Sequence, residues 1–156
     1  MITLLETVIE RSDGSYVDPE DLEVLDRAFE SWGDRRNTYG LIQDKEAIIV
    51  EKTLERFQQE NANLLLTAPD SVFKKCQSDL TSVLRNCAMA MLLQDETLLK
   101  DRFLYWMQNI MRALKNQRFN VHIYQILQDV VRAELPEHNA NLIMPYLRIA
   151  HQYLSK

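Results

Sequence analysis

The chain has 156 residues, of which 46% are hydrophobic and 26% charged, and its formal net charge is −5. That length fits one domain, able to bury about two thirds of its unfolded surface, and the acidic balance disfavours a general nucleic-acid binder, which shows a basic face. Only 3 Gly and 4 Pro leave few places to turn; with abundant Leu, Glu, Gln, Arg and Ala this argues for long helices and against a sheet.

Taken in order, Ile2 to Arg11 is apolar at Ile2, Leu4, Leu5, Val8 and Ile9, an amphipathic helix of about three turns ended by Ser12-Asp13-Gly14-Ser15. Asp18-Pro19 opens a second helix with an N-cap carboxylate and proline at the first helical position. Its expected buried stripe is Leu22, Leu25, Ala28, Phe29 and Trp32. Gly33-Asp34 is read as an interruption, followed by a long helix from Arg35, with Arg35-Arg36 as a salt-bridged start, to about Asn61. The core face of that helix carries Leu41, Ile42, Ile48, Ile49, Leu54 and Phe57. Thr67-Ala68-Pro69-Asp70 marks the clearest break. A helix from Ser71 to about Leu93 comes next, then one capped by Asp95 and running to about Leu114. Lys115 to Arg118 reads as a basic connection, Asn120 as the cap of a helix to about Leu135, and Glu137 to Leu154 as a last helix kinked at Pro145. The expectation is an all-α single domain over 1–156.

Two cysteines, Cys76 and Cys87, lack CxxC or Cys/His zinc spacing. Eleven residues apart on one helix they stand about 16 Å from each other, beyond the roughly 7 Å reach of a disulfide. No window approaches 18 uninterrupted apolar residues, so no membrane span is expected, and nothing near Met1 reads as a signal peptide. No Ser/His/Asp, Cys/His or paired-carboxylate constellation suggests an enzyme. The Met89, Met91, Met107 and Met111 set reads as deformable core.

The pair Cys76 and Asp79 is the feature that carries chemistry. A thiol and a carboxylate three residues apart share one helix face, an arrangement suited to a linear tetrapyrrole: the sulfur can form a thioether, and the carboxylate can accept hydrogen bonds from pyrrole N–H groups. With Leu84-Arg85 and Ala90-Met91 downstream, the stretch resembles the chromophore helix of phycobiliproteins, Cys-x-Arg-Asp followed by Leu-Arg. Asp13-Gly14-Ser15-Tyr16-Val17 is similar to that family's turn between its two N-terminal helices. Arg36 to Val50 resembles its following helix, and Asp95 with Leu99-Lys100-Asp101-Arg102 its Gly-Asp…Leu-Asp-Glu-Arg segment. The resemblance implies a globin-like core (34–156) behind an N-terminal helical hairpin (1–33). It also implies a bilin site at Cys76 and Asp79 with Lys75 and Arg85, and a partner-binding surface at Arg11, Asp13 and Tyr16.

Four departures bear on function. Ser78 stands where the family has an arginine for a bilin propionate. His122-Ile123 replaces an aromatic pair, Tyr105-Trp106 replaces a small Asn-Gly pair, and Arg11 replaces an acid used in heterodimer pairing. The expectation is a divergent, non-enzymatic, regulatory or accessory protein of bilin and tetrapyrrole metabolism, of the kind called bilin-biosynthesis-associated globins. It would bind protein partners and either no cofactor or a linear tetrapyrrole, with no nucleic acid and no metal, and at most a weak homodimer. The resemblance places it in a cyanobacterial or plastid cytoplasm, peripheral to thylakoids. The alternatives are a phycobilisome light-harvesting subunit with covalent bilin on Cys76, and a haem-type sensor globin using His122, His138 or His151.

Overall fold

The computed structural model describes residues 1–61, 70–114 and 117–156, with the side chains of 70–73, 117 and 118 outside the description. All regular structure among the described residues is helical. Helix α1 (Ile2–Arg11) and α2 (Pro19–Glu30) form a hairpin whose turn depends on Gly14, at φ +74°, a region that side-chain-bearing residues rarely adopt. Helix α3 (Trp32–Glu60) follows at once and passes through Gly33-Asp34 without a break. The interruption expected there is absent because a lone glycine costs a helix only about 1 kcal/mol, less than the packing of α3 returns.

The apolar stripe of α2 is also corrected. Only Ala28 of the five is buried; Leu22, Phe29 and Trp32 are exposed at 48%, 57% and 37%. Periodicity identified the helix but not what would cover its face. The Asp18 carboxylate makes no capping hydrogen bond, so Pro19 alone marks that start.

The core lies between α3, α4 (Asp70–Leu93), α7 (Gln117–Glu134) and α8 (Glu137–Leu154). Leu80, Val83, Leu84, Cys87, Ala88 and Met91 of α4 recur every three or four residues and are all buried, the stripe of a helix enclosed on one side. They meet Ile42, Ile49, Val50 and Phe57 of α3, while Leu41 and Leu54 are partly buried and Ile48 faces outward. Thr67 to Pro69, read as the mid-chain break, and Lys115-Asn116 lie outside the described residues. The next run is α5 (Glu96–Leu99), a π-helical turn (Lys100–Leu104) and α6 (Tyr105–Ala113). Met91, Met107 and Met111 are buried; Met89 is largely exposed.

Asn120 is not a cap. α7 begins three residues earlier, and the buried Asn120 Nδ2 donates to the Leu154 carbonyl (2.8 Å), tying α7 to the end of α8. α8 continues through Pro145, which has no N–H for the carbonyl four residues back.

Two polar residues fix the hairpin to the corner after α4. Asp95 is buried and its Oδ1 caps α5 by accepting from Leu98 N (3.0 Å), as its position predicts. The same carboxylate accepts from Thr3 N (2.9 Å) and Thr3 Oγ1 (2.9 Å), fastening α1. Arg35 is 3% exposed and has no carboxylate partner among the described residues, so the expected salt-bridged start is corrected for it. Its guanidinium donates to the carbonyls of Ala28 and Leu92 and to Ser31 Oγ (3.2 Å), and lies 5.6 Å from the Trp32 ring centroid. Ala28 and Leu92 sit in the last turns of α2 and α4, so one cation serves the negative ends of two helix dipoles.

Candidate functional site

Cys76 and Asp79 occupy one face of α4, a turn apart, and both are half-buried. Burial raises the Cys76 thiol above its ordinary value, the Asp79 charge adds to the rise, and Lys75 partly offsets it. Burial likewise raises the Asp79 carboxyl, with Lys75 pulling the other way. Among the described residues the Asp79 carboxylate makes no hydrogen bond and no ion pair. This is a partly dehydrated acceptor with its capacity unused.

Across from α4, Tyr124 of α7 completes the group. It is 3% exposed, and its phenol is held neutral, first by burial and then by the negative charge of Asp79. The sequence reading stopped at His122-Ile123 and passed over Tyr124. Its membership of the apolar series Ile123, Tyr124, Ile126 and Leu127 was the available signal. Cys87 is fully buried, its Sγ 3.6 Å from the Tyr146 carbonyl, and burial raises its thiol strongly. It is a packing residue.

The structure does not bring all expected site residues together. Arg85 points to α3, where Nε and Nη2 grip Glu46 at 2.7 and 2.6 Å, half-way round the helix from Cys76. Lys75 stays on the Cys76 side and is exposed, as is Ser78. Tyr105 stacks edge-on against Tyr153 (centroids 5.7 Å apart) and Trp106 lies beside Phe103 (6.4 Å). Arg11 pairs within the hairpin with the buried Asp21 (3.2 Å), while Asp13 and Tyr16 project from the turn, Tyr16 at 98% exposure. The histidines are dispersed: His138 pairs with Asp34 (3.3 Å), His151 bonds Gln128 (2.9 Å) and His122 is exposed.

The chain is thus all-α, with two N-terminal helices ahead of a helical core and a thiol–carboxylate pair on a core helix. The family model described as phycobilisome protein matches residues 7–154, and the chain belongs to that family. A comparison with curated proteins finds no match. No helix among the described residues is long and apolar enough to cross a membrane.

Proposed function

We propose that this phycobilisome-family protein is a non-enzymatic holder of a linear tetrapyrrole. In this reading it works as an accessory or regulatory protein of bilin and tetrapyrrole metabolism, in the cytoplasm of a photosynthetic cell. The observation that carries it is Asp79, half-buried beside Cys76 without a partner among the described residues. A carboxylate taken partly from water is destabilised until donors reach it, and the inner N–H groups of a tetrapyrrole are donors of the right number and polarity. Tyr124 supplies an aromatic wall, and Lys75 is the cation nearest to replace the family arginine that Ser78 lacks. Arg85, committed to Glu46, is left out of the site. The exposed Leu22 and Phe29 of α2, with Trp32 at the start of α3, form the face on which a protein partner would sit.

Titration with a bilin tests this. Asp79→Ala should weaken binding roughly tenfold to a hundredfold and leave the melting temperature of the unliganded protein within a few degrees. Affinity should be constant above the raised pKa of Asp79 and fall as pH drops through it, because the donors favour the ionised carboxylate. That dependence should vanish in Asp79→Asn. An unchanged titration curve in Asp79→Ala would end the proposal.

The light-harvesting alternative draws on the same-face spacing of Cys76 and Asp79. In it, Cys76 Sγ would add to an exocyclic carbon–carbon double bond of the pigment, its proton passing to the adjacent carbon, with no oxidant or reductant needed. The raised thiol disfavours the thiolate that such an addition uses, so binding is expected to be mainly non-covalent. Protein made together with bilin synthesis and a lyase, then denatured and viewed by zinc fluorescence, should show little adduct. Any adduct should disappear in Cys76→Ala and persist in Cys87→Ala. A stoichiometric adduct would favour the antenna subunit.

A further inference from the structure

A shallow cleft lies away from Cys76, between α7 and α8. Its volume is about 430 Å³, and Arg132, Arg148, His151, Gln128, Gln152 and Ser155 line it, with no acidic residue among the lining side chains. We infer that this cleft binds a small oxyanion carrying at least two negative charges, a phosphate ester or a dicarboxylate.

Three observations converge on it. First, the floor is fixed: Gln128 Nε2 bonds both His151 Nδ1 (2.9 Å) and the Tyr124 carbonyl (3.0 Å). This ties the cleft to the end of α8 through a buried amide. Second, the Ser155 hydroxyl oxygen is buried yet has no hydrogen-bond partner among the described residues, although it lines the cleft. Buried hydroxyls are normally satisfied, and a turn of the Ser155 side chain toward the cleft would let a ligand oxygen serve as its partner. Third, the two arginines are available. Among the described residues Arg148 makes no ion pair, and Arg132 pairs with Asp129 alone, at 3.5 Å. Asp129 keeps Arg56 at 3.5 Å if Arg132 turns to a ligand. Planar guanidinium groups bind phosphate and carboxylate oxygens bidentately, whereas a cleft built for a neutral ligand has no use for two of them.

Titrating the full chain with inorganic phosphate and separately with succinate, at about 0.15 M chloride to screen diffuse attraction, tests the site. Saturable binding is expected, with amide chemical-shift changes confined to α7 and α8. Arg132→Gln and Arg148→Gln should each weaken it roughly tenfold or more, and Ser155→Ala by a few-fold. Arg27→Gln, on the exposed face of α2, should not. Tighter phosphate binding would identify a phosphate ester as the ligand class, and tighter succinate binding a dicarboxylate. Both arginines are exposed, so unchanged circular dichroism is expected to accompany the losses. Non-saturating shifts, or equal losses in Arg27→Gln and the cleft variants, would overturn the inference.

Discussion

Arg35→Ala should destabilise the protein by about 3 kcal/mol and lower its melting temperature by roughly 6–12 °C. The side chain is buried at the meeting point of the last turns of α2 and α4, where carbonyls have no helical partner. Alanine leaves the Leu92 carbonyl without its donor, leaves the Ala28 carbonyl only the long bond from Ser31 Oγ (3.4 Å), and empties the space beside Trp32. Lysine keeps the charge but offers one compact ammonium where a forked donor spans three acceptors, so Arg35→Lys should recover less than half of the loss. Urea and thermal melts of the two variants provide the check. A loss under about 1 kcal/mol in the alanine variant would mean that water replaces the guanidinium without penalty.

Asp95→Asn is the second large effect, and it carries a pH signature. The Asp95 carboxyl is lowered from its ordinary value: burial alone would raise it, but donors from Thr3 N, Leu98 N and Thr3 Oγ1 outweigh that. A carboxyl with a depressed folded pKa contributes stability that is fully present above its unfolded pKa of about 3.9. That contribution is lost as pH falls through the lower folded value. The wild type should therefore show a steep acid loss below about pH 4, and Asp95→Asn should be less stable at neutral pH by about 1–3 kcal/mol with a flatter acid limb. Parallel limbs in the two proteins would remove Asp95 from the acid response.

Which features were legible in the sequence follows from which were local. The i, i+3, i+4 recurrence through α4, the Asp95 cap and the Pro19 start depend on neighbours within one turn, and each is visible in the chain order. The family resemblance likewise rested on contiguous motifs, and the match over residues 7–154 supports it. Non-local features were hidden. Arg35 looked like part of a salt-bridged helix start because its partners, the carbonyls of Ala28 and Leu92, are backbone atoms that no residue type announces. Leu22, Phe29 and Trp32 have a core-like spacing, but spacing does not say whether another element arrives to cover them. Within the site, Cys76 and Asp79 were readable from their separation. The turning of Arg85 toward Glu46 depended on α3 lying alongside, and the influence of Asp79 and Cys76 on Tyr124 depended on where α7 sits in the core.

The hairpin's means of attachment sets how it comes off. α1 and α2 bury only Val8, Asp21 and Ala28, and the polar links to the remainder of the molecule run through Asp95, Arg35 and the Met1 ammonium, which donates to the carbonyls of Leu93 and Gln94. Releasing it therefore wets little hydrocarbon, so the opening is nearly indifferent to denaturant while the concerted melting of α3, α4, α7 and α8 is not. Amide protons of residues 2–30 should exchange with a small, denaturant-independent protection. Those around Leu84 and Leu147 should follow the global transition, giving one chain with two kinetically separate layers of exchange.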